Sequence, residues 1–403
     1  MSIALEQALR DQIALRDKIP FAEFMEAALY SPRGGYYRSA RRSSPADDYF
    51  TAPSAHPAFG ALLTLQLEGF WRSLGRPQPF TVVDQGAGSG VLGQDVTAYA
   101  QLLEPSFPRA LRYVAVDLGG AALARTSPPF QHLRSAHLPF RHVVGCILSN
   151  ELLDSFPVHR VTVREGRLQE GYVAWDGGRF VEELAEPSTP LLAQRLAEEG
   201  VTLAEGQRAE VCLALDPWME ESAATLERGF LLTIDYGHLA PELYSPARSR
   251  GTLRCYYRHT LTANPYERVG QQDITTQVDF TAVVAAGARC GLRQYPLQSQ
   301  AAFLKHLGLG VFLRRLAAAG LGQRDRDANR MAMLELARPG GMGDFKVLVQ
   351  SKGVSQRGIT GVAGASAAWD KRLEQLPLPL LEAHHLRLME ARYPHLAQQF
   401  EGA

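Results

Sequence analysis

Along this chain the spacing of apolar positions changes character at about residue 80. Before it the pattern is helical: Phe21, Phe24, Met25, Ala28 and Leu29 recur three and four apart, and the run ends at Ser31-Pro32 and Gly34-Gly35. A second amphipathic stretch from Pro57 to Leu74 is broken by Gly75-Arg76-Pro77. From Phe80 onward short β-branched runs take over, FTVVD (80–84), LRYVAVD (111–117), VVGCILS (143–149) and FLLTID (230–235), with helical residues between them. Strands alternating with helices predict a mostly parallel sheet covered on both faces. Between the third and fourth runs, VHRVTVREG, GYVAWDGG and RFVEEL alternate apolar and polar residues around turn signals, which predicts an inserted antiparallel meander. A helix from about Pro217 to Glu227 leads back to the sheet.

The later chain predicts a helix from Phe280, a strand at LRQYPLQ (292–298), helices over 300–318 and 327–337, and a last, antiparallel strand at DFKVLVQS (344–351). Laid end to end, the expected regions are an N-terminal helical cap (1–79), a core (80–353) with insertions at about 158–210 and 238–345, and a linker with a helical tail (354–403).

Composition narrows the function classes. Lysine plus arginine number 42 and aspartate plus glutamate 42, so no net charge favours nucleic acid or an anionic membrane surface. Cys146, Cys212, Cys255 and Cys290 lie far apart, unlike a zinc-type pair or a secreted disulfide framework, and no metal is expected. The first residues mix both charges, and no apolar run approaches the roughly 18 residues of a membrane span. A cytoplasmic location without membrane insertion is the resulting expectation.

Chemistry concentrates where the first strand ends. VVDQGAGSGVL places Asp84 before Gly86, Gly88 and Gly90, a turn that lets a ligand approach the backbone. The third glycine of a dinucleotide fingerprint would fall at Val91, and Asp84 would repel phosphates. An acid at the mouth of the loop suits the ammonium end of S-adenosylmethionine. Asp117 closes the second strand, where it serves either the ribose hydroxyls of a nucleoside or the N-terminus of a helix.

Two further clusters follow strands. SNELLDSFPVHR (149–160) places Asn150, Glu151 and Asp154 after the third run, and IDYGH (234–238) places Asp235 and Tyr236 after the fourth. Ligands of open α/β sheets bind at carboxyl ends of strands. Helix capping by Asn150 or Asp154 is an equal alternative.

These segments resemble the MidA family of methyltransferases. The resemblance spans about residues 10–352 and rests on IPFAEFMEAALYSPRGGYY (19–37), DYFTAPSAHPAFGALL (48–63), the glycine loop, LSNELLDSFPVHRV (148–161), LLTIDYG (231–237), GTLRCYYRHT (251–260), QDITTQVDFTAVVAAG (272–287) and GDFKVLVQSKG (343–353). The loop departs from the family's Gly-Pro-Gly-Arg-Gly, reading Gly86-Ala87-Gly88-Ser89-Gly90.

The resemblance implies an α/β, Rossmann-like class I methyltransferase fold with a mostly parallel seven-stranded sheet, and S-adenosylmethionine as cofactor. Asp84, Gly86, Gly88, Gly90, Asp117 and Asn150 are the candidate cofactor residues. Glu151 and Asp154 are the candidate carboxylates that orient an acceptor, with Asp235 and Tyr236 as wall residues. Within the matching motifs, Arg258, His259, Asp273 and Thr275 are candidates for the acceptor pocket. Eukaryotic members of the family methylate protein arginine and assist assembly of respiratory complex I, so a complex I subunit is the expected protein partner, with a homodimer left open. A methyltransferase for a small molecule or another side chain is one alternative; a non-catalytic assembly chaperone that keeps the cofactor is another.

Overall fold

The computed structural model describes residues 3–38, 51–119, 130–257, 260–262, 264–355, 359–364, 366–382 and 385. The chain forms two compact units, one of Met1–Arg42, Leu152–Glu220 and Gly237–Cys290, the other of Ser43–Glu151, Glu221–Tyr236 and Gly291–Ala403. Each is assembled from three separated stretches, whereas the expected regions follow one another along the chain.

The second unit is built on one sheet. Its main strands are β1 (Phe80–Gln85), β2 (Leu111–Asp117), β3 (Phe130–Arg134), β4 (Val143–Asn150), β5 (Leu226–Asp235) and β6 (Lys346–Lys352). The order across the sheet is β6-β5-β4-β1-β2-β3, with every neighbouring pair parallel except β5 and β6. Beyond β6 the expected strand over 292–298 forms two short pieces, Arg293–Gln294 and Gln298–Ser299, each antiparallel to β6. Pro296 lies between them and has no N–H to donate, which breaks the ladder into two. Together they occupy the seventh position of a Rossmann-like class I methyltransferase sheet.

One face of this sheet carries the core. Phe80 and Val82 of β1, Tyr113 and Ala115 of β2, Cys146 and Leu148 of β4, and Leu232 and Ile234 of β5 pack with helices Ala58–Ser73, Val91–Ala100, Gln300–Leu307 and Leu309–Ala318. Successive strand residues point to opposite faces, so β-branched runs with a period of two produce this layer. The Phe70 and Phe230 rings stack with centroids 3.9 Å apart, joining helix Ala58–Ser73 to β5. Such aromatic pairs contribute about 0.5–1.5 kcal/mol beyond the area they bury. Gly308, at φ 111°, separates the two helices expected as one over 300–318. A Cβ there would lie 2.0 Å from Leu373 Cδ1, so the glycine admits a tail residue into the core.

The first unit contains helices Ile3–Arg16 and Phe21–Tyr30 and the expected meander, His159–Arg164, Arg167–Trp175 and Phe180–Ala185. Two strands absent from the sequence expectation complete that sheet: Ile19–Pro20 pairs with Arg167–Trp175, and Arg208–Val211 pairs with His159–Arg164. Leu192, Leu196, Val211 and Leu243 form part of its own apolar cluster. Arg254–Tyr257, Thr260–Thr262 and Asp273–Thr275 make a separate three-stranded sheet.

Candidate active site

At the carboxyl end of β1 the chain turns through three left-handed glycines, Gly86 (φ 74°), Gly88 (φ 56°) and Gly90 (φ 78°), before helix Val91–Ala100. An L-residue pays about 1–2 kcal/mol for that conformation, so the alternating glycines are a backbone requirement. The amides of Gly86 and Ala87 both donate to the Val116 carbonyl, at 2.8 and 3.2 Å, which fastens the loop to β2. A Cβ built on Gly88 meets nothing within 4 Å, so this side of the loop is open.

Asp84 is placed differently from its expected position at the mouth of the loop. It continues the apolar face of Phe80 and Val82, is 2% exposed, and accepts a hydrogen bond of 2.8 Å from the Tyr113 hydroxyl. Burial raises its pKa from 3.8 to about 7, with the Tyr113 bond opposing and Asp117 adding to the rise. The reason for the difference is strand alternation: two residues past Val82, an acid still points into the layer that Tyr113 shares. Tyr113 itself was missed, although it occupies an apolar-face position in LRYVAVD, and a hydroxyl there signals a buried polar partner.

Asp117 closes β2 with one carboxylate oxygen 2.9 Å from the Gly88 amide and the other 2.7 Å from the Gly119 amide. It therefore braces the glycine turn at its middle residue. Residues 120–129 lie outside the described part, and with them the choice between a helix cap and a ribose acceptor.

Asn150 ends β4, and its Nδ2 donates to Glu151 Oε1 at 3.2 Å while its own Oδ1 is buried with no hydrogen-bond partner among the described residues. An orphaned buried acceptor is costly, of order 1–3 kcal/mol, and marks a place where a donor belongs. Glu151 has φ 50°, left-handed for a non-glycine residue, and its amide donates to the Ile234 carbonyl at 2.9 Å. Beside it Asp235 ends β5 fully buried, and accepts from the Tyr236 amide at 2.9 Å. The Tyr236 ring packs on Phe345 with centroids 5.4 Å apart.

The remaining candidates belong to the first unit. Asp154 lies in the short turn Leu153–Ser155, which has no side-chain cap, and its carbonyl accepts from the Thr276 amide at 2.8 Å. Asp273 accepts from the Tyr37 hydroxyl at 2.8 Å, and Thr275 pairs in register with Arg254. Arg258 and His259 lie outside the described residues. The structure thus gathers Asp84, the glycines, Asp117, Asn150, Glu151, Asp235 and Tyr236 in one unit, at the carboxyl ends of β1, β2, β4 and β5.

The acids beside an open glycine turn and the orphaned Asn150 acceptor fit a ligand with a nucleoside and a cationic amino-acid end, and fit a polyphosphate poorly. Among the described residues, no group of three or more His, Cys, Asp or Glu is placed to hold a metal ion, and no helix is long and apolar enough to cross a membrane.

Comparison with known proteins agrees with this chemistry. A family model described as S-adenosyl-L-methionine-dependent methyltransferase matches residues 62–297. The mitochondrial protein arginine methyltransferase NDUFAF7 homolog of Drosophila melanogaster is 27% identical over 385 residues, covering 87% of this chain and 85% of its own. Mitochondrial NDUFAF7 of Xenopus tropicalis is 25% identical over 340 residues, with 74% of each chain covered. A candidate methyl transferase from Burkholderia thailandensis, solved with S-adenosyl-homocysteine, is 30% identical over 91% of this chain and 96% of its own, with a TM-score of 0.79. The cytoplasmic location expected from the sequence does not stand, because the curated relatives that match bear mitochondrial names. That expectation rested on absences, and an absence does not specify a compartment. The chain belongs to the MidA and NDUFAF7 family of S-adenosylmethionine-dependent methyltransferases.

Proposed function

We propose that the acceptor of this methyltransferase is an arginine side chain on a protein partner, with a respiratory complex I subunit under assembly as the partner. Relatives that cover between 74% and 87% of this chain bear the name protein arginine methyltransferase, which supports that acceptor class. The observation that carries the site is the Asn150–Glu151 pair, a carboxylate in a strained backbone position held by the amide of its neighbour. Strain of about 1–3 kcal/mol at a strand end persists where surrounding structure enforces it, and such positions cluster in active sites.

In this reading Gly86, Gly88 and Gly90 give the cofactor close access to the backbone, Asp117 stands at its ribose, and Asn150 Oδ1 takes one of its N–H groups. When bound, the cofactor supplies a methyl group activated by a positive sulfur. Asp84, at a pKa of about 7, releases its proton more readily when a cation lies near, and so favours a cationic ligand. A guanidinium is protonated at neutral pH and has no free lone pair. Glu151 holds one of its N–H groups, localises the positive charge away from the attacking nitrogen and takes the proton that this nitrogen loses. A positioned acid–base group of this kind contributes about 10²–10⁴ in rate. Asp235 and Tyr236 form the adjoining wall.

The test incubates the full chain with isolated complex I subunits and isotopically labelled S-adenosylmethionine, then maps label by mass spectrometry. Label on arginine, lost in Glu151→Gln, is the expected result. Label only in a small-molecule fraction would move the acceptor class, and cofactor binding without transfer would identify an assembly chaperone.

A further inference from the structure

Residues 366–382 and 385 pack within the second unit. Helix Ala367–Gln375 places Leu373 in the main core, and Arg315 donates to the carbonyls of Leu373 and Leu376 at 2.8 and 2.6 Å. The Leu381 amide donates to Asn329 Oδ1 at 2.8 Å. That oxygen also lies 3.0 Å from His56 Nε2, just before helix Ala58–Ser73. Two contacts then fall on the helix that the glycine loop opens. The Tyr99 hydroxyl donates to the Pro377 carbonyl at 3.1 Å, and His385, fully buried, lies 3.2 Å from Asp95 Oδ2. Asp95 and Tyr99 are four residues apart on helix Val91–Ala100, so they share a face.

We infer that residues 366–382 and 385 act as a positioning strap for the cofactor loop: through His385 on Asp95 and the Pro377 carbonyl on Tyr99 they fix helix Val91–Ala100, which follows Gly90. This rests on the assignment of the cofactor to the glycine loop. The physical basis is the short path from strap to loop. Asp95 stands one turn from the helix start, and a helix is stiff along its axis, so displacement at Asp95 moves the amides at Gly90 and Val91. The loop's left-handed turns have no side chains to hold them, and their position depends on β1, Asp117 and this helix. His385 is therefore a positioning residue, 290 residues from its partner in sequence and without expected contact to the cofactor.

The test titrates S-adenosyl-homocysteine into the full chain by calorimetry and follows amide hydrogen exchange over residues 86–94. His385→Ala is expected to weaken binding about tenfold and to speed exchange in the loop, as removal of a coupled contact does. His385→Asn, which retains a donor, should recover most of the affinity. Tyr99→Phe loses one hydroxyl and should show a smaller loss in the same direction; it decides the matter if His385→Ala fails to fold. Wild-type affinity and exchange in the folded His385→Ala and Tyr99→Phe chains, with binding abolished in Gly88→Val, would overturn the strap alone. Unchanged binding in Gly88→Val would remove the loop assignment and the strap with it.

Discussion

Tyr113 donates its hydroxyl to Asp84 from the neighbouring strand, 2.8 Å away, with the Tyr113 ring in the main apolar layer and Asp84 two residues before the glycine turn starts on its own strand. The pair makes the loop's foundation polar where its surroundings are aliphatic and aromatic. Tyr113→Phe leaves the acid buried without this donor, which should cost about 1–3 kcal/mol of stability. Urea unfolding at neutral pH measures the loss, and a change below a few tenths would show the bond to be incidental.

Cofactor affinity should depend on pH through Asp84. Its folded pKa of about 7 lies above the ordinary 3.8, so its contribution to stability is fully present below about 4 and is lost as pH rises through 7. A cationic ligand favours the ionised form, so binding of S-adenosylmethionine, which carries a sulfonium, should tighten from pH 6 to pH 8 and release protons. Calorimetry in buffers of different ionisation enthalpy reads both effects. Asp84→Asn should flatten the profile; an unchanged slope in that variant would assign the dependence elsewhere.

Gly88→Val separates binding from folding. A new Cβ meets no atom within 4 Å, so the cost to stability should come from left-handed strain, at least about 1–2 kcal/mol and more for a β-branched side chain. The isopropyl group projects into the open side of the loop. Cofactor binding should therefore fall below detection while the chain still unfolds cooperatively, as followed by circular dichroism.

Strain and activity should part at Glu151. Asn tolerates φ near 50° better than Glu, so Glu151→Asn should leave stability equal or raise it by up to about 1 kcal/mol. Methyl transfer should fall at least about a hundredfold. A variant that is both less stable and fully active would contradict a functional origin for the strained conformation.

Acid should destabilise the second unit through His56. Its Nδ1 accepts from the Ala58 amide at 2.9 Å, so Nε2 carries the proton toward Asn329, and the ring is neutral. Burial lowers its pKa from 6.5 to about 3, opposed by the bond to Asn329 and aided by His385. The stabilisation is present above about 6.5 and lost as pH falls through 3. Unfolding midpoints in urea should drop between pH 7 and pH 4, less steeply in His56→Gln.

Much of the architecture was legible because it is written in local periods. The runs FTVVD, LRYVAVD, VVGCILS and FLLTID became β1, β2, β4 and β5, and the meander formed from its alternating segments. Helix and strand periods depend on neighbours a few residues away, and a single sequence displays those directly. The loop glycines were equally plain, since only a backbone need explains Gly86, Gly88 and Gly90 at alternate positions. What was hidden depends on distant partners. The burial of Asp84 requires Tyr113, the strand Arg208–Val211 requires His159–Arg164 as its template, and the tail's role requires Asp95, Tyr99 and Asn329. The separation of Asp154 from Glu151 into different units was also invisible, because three residues of chain carry no mark of a boundary.

The position of β6 bears on how a cell makes this protein. β5 receives its antiparallel neighbour, from Gly229 facing Lys352 to Asp235 facing Lys346, only when the ribosome has passed the last of these residues. Throughout that interval of synthesis, Leu231, Leu232 and Ile234 belong to a strand with one open edge, the kind of surface that nascent chains use to stick to one another. Slowed elongation between Asp235 and Lys346 would lengthen the time this edge stays open, and a holdase bound there would cover it.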